Sequence, residues 1–331
     1  MIITKTPFRV SFVGGGSDIE DFYSHEQGAV LSTSINKYMY VLSHHFFDND
    51  KIRVKYARTE TVDNVNELRH PVVREVLKQF NITGALEISS NGDVPSGTGL
   101  ASSSAFTVGL LYNIYSRMGK FVTKEQLAAE ACEVEIERLG EPIGKQDQYA
   151  CAFGGLNVIT FNSNGTVGVE PIHLRRDTFK ELQSNLLIFY TGQQRQASGI
   201  LAEQKDNLKA QDKRDITKEM VKLVWKLRES LLKNRIDDMG PILHENWLLK
   251  RQLASKVTNS AIDEMYKRAM DNGATGGKLL GAGGGGFLLF YCPQKNQAHL
   301  RRVFADAREM PFKFDNEGTK VIYAADEYIK H

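Results

Sequence analysis

VPSGTGLASSSAF, residues 94–106, carries the strongest local signal in this chain. Gly97 and Gly99 let the backbone turn tightly and approach a ligand closely. Ser102, Ser103 and Ser104 add hydroxyls and capping chemistry at what reads as a helix start. Beyond them, 101–117 sets Phe106, Leu110, Leu111 and Ile114 at helical spacing. A helix N-terminus leaves amides unpaired and carries the positive end of the helix dipole, so it forms an anion site. Phosphate is the natural occupant, although a plain glycine turn before a capped helix would leave the same letters.

Upstream of this stretch, 10–13 and 38–42 read as apolar strands and 51–56 as an alternating one. Residues 71–80 read as a helix with Pro71 in its first turn, and 85–89 as a strand. Downstream, Thr123 with Gln126 three residues on is a capping-box pattern, opening a helix to about residue 139. A helix is expected at 146–153, and strands at 156–161, 167–172 and 186–190. From 195 to 272 the chain is rich in Lys, Glu, Leu and Arg and reads as three or four helices. A glycine loop at 281–286 leads into the strand 287–291, then a helix at 298–308 and a last strand at 320–324. Strands and helices mix without strict alternation, which predicts an α+β fold. A boundary near residue 180 would divide it into 1–180 and 181–331.

The 331 residues allow about two domains, and 41% hydrophobic and 25% charged residues are ordinary for a globular chain. A net charge of +2 gives no reason to expect nucleic acid or a membrane surface as partner. Cys132, Cys151 and Cys292 form no C-x-x-C pair, so neither a zinc ribbon nor a redox pair is suggested. Free thiols fit a reducing compartment. The opening MIITKTPFRV lacks a signal-peptide run, and no stretch approaches the roughly 18 apolar residues of a membrane span. The cytoplasm is the expected location. Nothing decides between a monomer and a homodimer.

Two nucleotide motifs fail. The nearest approach to G-x-x-x-x-G-K-[ST], at 273–279, is one residue short, and Leu279 follows its lysine. Gly281, Gly283 and Gly286 fit G-x-G-x-x-G, but a dinucleotide fingerprint must open a helix, and a strand-like FLLFYC follows here. KLLGAGGGG, 278–286, is too glycine-rich for turning alone, so close approach to a ligand at Gly283 and Gly284 is expected. A third cluster, FVGGGSD at 12–18, sets Ser17 and Asp18 after Gly15 and Gly16. They could bond substrate hydroxyls or simply close an Asx-type turn.

Charge concentrates at 133–155. Glu133, Glu135 and Glu137 alternate on a helix and cannot share a face, so one can address a metal while the others are solvated. Asp147, ahead of an apolar run, reads as partly buried and in need of a cation; it suits catalysis or a helix N-cap. Arg9, inside an apolar strand, needs an anion. Arg195 could meet a substrate phosphate bidentately or be a solvated helix-start arginine. His44 and His45 have no third ligand nearby, and Trp225 and Trp247 suit helix packing.

Three motifs in order, TPFRVSFVGGGSD (6–18), PSGTGLASSSA (95–105) and KLLGAGGGGF (278–287), resemble those of the GHMP kinases, named for galactokinase, homoserine kinase, mevalonate kinase and phosphomevalonate kinase. Within that family, PFRVSFVGGGSD, GAVLSTSINKYMYV, LGEPIGKQDQYACAFGGLN and YTGQQRQAS resemble the D-glycero-D-manno-heptose 7-phosphate kinases. The resemblance implies ATP and Mg2+ as cofactors and phosphorylation of the anomeric C1 hydroxyl of a sugar phosphate, giving the 1,7-bisphosphate. It implies a ribosomal-S5-like N-terminal domain with a left-handed βαβ unit and a ferredoxin-like C-terminal domain. Pro95, Gly97, Thr98, Gly99, Leu100, Ala101, Ser102, Ser103 and Ser104 would wrap the ATP phosphates. Ser103 and Glu135 would hold magnesium, with Glu137 open as the alternative. Asp147 would be the base and Arg9 its neighbour. Gly15, Gly16, Ser17, Asp18, Gly283, Gly284 and Arg195 would meet the substrate. GGGSD departs from the GEHTD of galactokinases, which speaks against galactose itself. Rival readings are a kinase of an unphosphorylated fucose- or galactose-type sugar, or a sensor that lost its chemistry. Keeping Arg9, Ser103, Glu135 and Asp147 together argues against the sensor.

Overall fold

The structure, a computed structural model, describes residues 1–194 and 198–325. In chain order it runs β1 (Ile2–Val13), α1 (Glu20–Tyr23), β2 (Gly28–His45), β3 (Ile52–Lys55), β4 (Thr59–Val62), α2 (Pro71–Gln79), β5 (Leu86–Gly92), α3 (Ser102–Arg117) and α4 (Lys124–Cys132). A π-helical turn (Glu133–Arg138) leads to α5 (Gln146–Phe153), β6 (Leu156–Phe161) and β7 (Val167–Pro171). Then come α6 (Arg176–Ser184), β8 (Leu186–Tyr190), α7 (Ser198–Asn207), α8 (Gln211–Leu232), α9 (Met239–Lys250) and α10 (Ser260–Asp271). The chain closes with β9 (Gly276–Leu279), β10 (Phe287–Tyr291), α11 (Gln294–Val303), β11 (Phe314–Asp315) and β12 (Lys320–Ala324).

The large sheet has the order β12-β1-β2-β5-β3-β4, with β6 and β11 also on the long β2 and β7 on β6. β3 and β5 run parallel; the other pairs are antiparallel. β1 is buried on both faces for most of its length. Phe8, Val10 and Phe12 join one core, while the alternate residues Arg9 and Ser11 share the opposite side and reach a cleft. That core continues through Val224 and Leu227 of α8 and Ile242 and Leu243 of α9 to Leu289 of the second sheet, β8-β10-β9. A separate core under α2, α3 and α4 includes Val73, Ile88, Leu110 and Ile114, and a third gathers Trp247, Ile262, Phe290 and Phe304.

The mixed layers agree with the expected α+β class. A division near residue 180 is crossed, however: β11 and β12 return from the second half to pair with β2 and β1. Helix α11 begins at Gln294 behind Pro293, four residues before the expected start. The capping box at Thr123 is half made, since its hydroxyl accepts from Gln126 N while the Gln126 amide turns to Tyr115 and Glu130. All three cysteines are buried free thiols. Among the described residues no helix is long and apolar enough to cross a membrane.

Candidate active site

A cleft of about 350 Å³ opens where the start of α3, the end of β1, the start of α5 and the end of α9 converge. At its first wall Ala101 precedes α3 with φ 65° and ψ 34°, a left-handed conformation that costs an alanine about 1–2 kcal/mol. No side chain caps the helix, and its first internal bond runs from Ala105 N to Ala101 O. The amides of Ser102, Ser103 and Ser104 are therefore left without intrahelical partners beside the cleft. The serines lie inside the helix instead of capping it, which corrects the expected capping role. Gly97 and Gly99 line the cleft with Ala101 and the serines. Pro95, Thr98 and Leu100 do not; they shape the loop. The Thr98 hydroxyl donates to Pro95 O at 2.8 Å, and the Leu100 side chain enters the core.

Arg9 joins three elements. Its backbone N donates to Leu100 O at 3.2 Å and its Nη1 to Gly99 O at 2.8 Å. Nε and Nη2 both meet Asp147 Oδ1, at 2.8 and 2.7 Å. Asp147 is the second residue of α5, behind Lys145 at the N-cap, so it is not the cap. Its side chain keeps 25% exposure against 4% for Arg9.

The Ser103 hydroxyl donates to Glu135 Oε1 at 2.7 Å, and Gln148 Nε2 donates to Oε2 at 2.7 Å. Glu135 is buried; burial pushes its pKa up while the bond from Ser103 leads the opposing effects. Its register comes from the π turn, where Leu139 N reaches back five residues to Val134 O. Glu137 faces solvent, and Glu133 pairs with Arg138. A hydroxyl and a carboxylate are hard oxygen donors, which fit a magnesium ion shared with substrate phosphates.

Asp18 closes the far end. Oδ1 accepts from Gly16 N at 2.9 Å and Gln146 Nε2 at 3.2 Å, and Oδ2 from Gln146 N at 3.2 Å. Burial, then the nearby Asp147, raises its pKa. Gly15 and Gly16 line the cleft beside it. Ser17 does not: its hydroxyl is fully engaged with Gly14 O, Ala29 O and Ala29 N, so it is a buried staple and not a substrate contact. Gly283 and Gly284 also stay out. Gly284 N donates to Val257 O, and Gly283 packs on the Val257 backbone. Their loop reaches the cleft through Gly281 and Ala282 instead. Arg195 lies outside the described residues.

Several polar residues of the cleft were not singled out from the sequence, among them Ser11, Gln146, Gln204, Lys250 and Lys278. Lys278 donates to Phe12 O at 2.9 Å, and burial pushes its pKa far down. Lys250 donates to Leu279 O at 3.4 Å and to Gly281 O; burial, then Arg9, lowers its pKa to about 7. Lys278 opens the glycine-rich stretch 278–286 and could have been suspected. Lys250, in WLLKR, reads like any helix end.

Residues 66–155 match the family described as GHMP kinases N terminal domain, and residues 227–310 match GHMP kinases C terminal, together just over half of the chain. This chain belongs to the GHMP kinases. A D-glycero-alpha-D-manno-heptose 7-phosphate kinase of Campylobacter jejuni subsp. jejuni is 29% identical, with 96% of this chain and 98% of the relative covered. A galactokinase of Pyrococcus furiosus is 28% identical over 86% of this chain and 87% of the relative. The crystal structure of a D-glycero-D-manno-heptose 1-phosphate kinase from Bacteriodes thetaiotaomicron shares the fold, with a TM-score of 0.82, 23% identity, and 98% and 100% coverage. This GHMP kinase is thus a sugar kinase, a phosphotransferase with an alcohol acceptor and ATP as phosphate donor.

Proposed function

We propose that this kinase phosphorylates the anomeric C1 hydroxyl of D-glycero-D-manno-heptose 7-phosphate to give the 1,7-bisphosphate. The substrate class is supported by likeness, along nearly the whole chain, to a relative named for that sugar phosphate. One observation carries the chemistry: the Arg9–Asp147 pair faces the open N-terminus of α3 across one cleft.

In this reading the amides of Ser102–Ser104, with the loop at Gly97 and Gly99, hold the ATP phosphates, since helix-end amides suit anions. Ser103 and Glu135 would hold Mg2+, which when bound neutralises charge on the phosphates. The sugar hydroxyl lies at Asp147, whose Oδ2 has no hydrogen bond among the described residues. Arg9 fixes Oδ1 and leaves Oδ2 open to the hydroxyl. Asp147 takes the hydroxyl proton as the sugar oxygen attacks the γ-phosphorus and ADP departs. Asp18 accepts from a sugar hydroxyl, and Arg195 is the candidate for the 7-phosphate. Residues 1–180 would form the nucleotide-binding domain, completed by β11 and β12.

The test is a substrate panel: the heptose with and without its 7-phosphate, galactose and fucose, with products read by phosphorus NMR. A new C1 phosphate formed preferentially on the phosphorylated heptose is expected. Equal kcat/KM for the unphosphorylated heptose, or phosphate at another carbon, sinks the assignment.

A further inference from the structure

Two lysine side chains reach the cleft without an anion. Lys250 and Lys278 are 5% and 2% exposed, and both line it. Among the described residues neither has a carboxylate in ion-pair reach; each holds only backbone carbonyls. A buried charge paired only with carbonyls is costly, and an apolar side chain of similar size would often be more stable.

The charged groups around Lys250 come from four directions: Arg9 on β1, Asp18 after β1, Asp147 on α5 and Lys278 on β9. Arg9 is committed to Asp147, and Asp18 to Gly16 and Gln146. Lys250 also holds Gly281, whose backbone packs directly on Gly99. It therefore stands between the carboxylates of the acceptor end and the loop of the nucleotide end. On the reading of the cleft given above, a γ-phosphoryl group would cross beside it. Lys278 is the weaker candidate, because the charged neighbours acting on it, Lys250 and Arg9, are both cations.

We propose that Lys250 is a catalytic residue of this kinase, its ammonium leaving the carbonyls of Leu279 and Gly281 for a non-bridging oxygen of the phosphoryl group in transfer. This rests on the reading of the cleft given above. The bond from the γ-phosphorus to the β,γ-bridging oxygen breaks, and its electron pair leaves with ADP. A bond to the sugar oxygen forms, and the sugar proton goes to Asp147. Lys250 gains and loses no proton in that step; it offsets charge on the transferred group where little water screens it. Phosphoryl transfer depends mainly on such positioning and charge stabilisation.

Proton linkage separates this role from a structural one. With its pKa near 7, the Lys250 side chain of the free protein is mostly neutral at pH 8. An arriving phosphate favours the ammonium, so nucleotide binding takes up a proton. The experiment compares wild type, Lys250→Met and Asp147→Asn, with Lys250→Gln in reserve if the methionine variant does not fold. Steady-state kinetics are measured, and the β,γ-imido analogue of ATP is titrated calorimetrically at pH 8 in buffers of different ionisation enthalpy. For Lys250→Met we expect kcat to fall about 10²-fold, with KM for ATP changed only a few-fold. Wild type should take up roughly half a proton more than the variant, which is what a few-fold effect on affinity allows by linkage. A kcat within threefold of wild type, or identical proton uptake, overturns the proposal. If Asp147→Asn is inactive while Lys250→Met is not, only Lys250 falls; if Asp147→Asn keeps its turnover, the reading of the cleft falls with it.

Discussion

Gly99 and Gly281, from glycine loops far apart in sequence, meet backbone to backbone. A Cβ on Gly281 would lie 2.4 Å from Gly99 Cα, and one on Gly99 would lie 2.5 Å from Leu280 O. Both residues have positive φ, at 82° and 70°. The contact joins the loop before α3 to the loop after β9, and it gives those glycines a reason that no dinucleotide fingerprint supplies. Gly281→Ala should therefore lower stability by at least about 1–2 kcal/mol and raise KM for ATP. Denaturant titration with nucleotide binding checks this; an unchanged KM in a folded variant would separate the contact from nucleotide binding.

Removing the charge at Asp147 should leave the nucleotide end intact. Asp147→Asn is expected to lower turnover by about 10²- to 10⁴-fold while ATP still binds. Rapid-quench kinetics alongside equilibrium binding would show it, and near-wild-type turnover would take Asp147 out of the chemistry.

The two glutamates of the π turn should behave differently. Glu135 is buried on Ser103, and Glu137 is exposed. Glu135→Gln should raise the magnesium concentration needed for half-maximal rate by roughly 10-fold or more, and Glu137→Gln should not move it. Activity titrated against magnesium tests both, and equal shifts would remove Glu135 from the metal site.

Stability should depend on pH through Lys250. Its pKa falls from the ordinary 10.5 to about 7 on folding. Between those values the unfolded chain binds the extra proton, so stability rises with pH across that window. The penalty is full below about 7 and gone above about 10.5. Lys250→Met should thus gain most over wild type near pH 7, with the gain shrinking toward pH 10. Denaturation midpoints at a series of pH values measure it; a constant gain would mean that the buried charge carries no such penalty.

Much of the framework was legible because short apolar runs bounded by glycine or proline are unambiguous. Residues 146–153, 156–161, 186–190, 287–291 and 320–324 fold within the bounds read from the sequence. β4, the polar TETV, and β11, two residues long, are strands only because of the neighbours they pair with. In the cleft, burial and charge logic said that Arg9 needs an anion and Asp147 a cation, while the pairings of Arg9 with Asp147 and of Ser103 with Glu135 came from the resemblance. Choosing Glu135 over Glu137 needed the five-residue step at Leu139, which leaves no mark in composition. Gly283 and Gly284 misled because packing on Val257 demands glycine as strongly as a ligand would. Lys250 escaped notice because a lysine ending a helix is ordinarily solvated.

The turn at 133–138 makes this protein sensitive to length as well as to chemistry. Each residue advances a regular helix by about 100°. Deleting one residue between Glu135 and Leu139 would let the coil wind normally and swing the following segment, which carries Gly144 against Asp18, out of phase. Such a deletion would remove no reactive group, yet it would misalign both ends of the cleft at once. Inheritable single-codon losses there should be as damaging as replacing an acidic side chain.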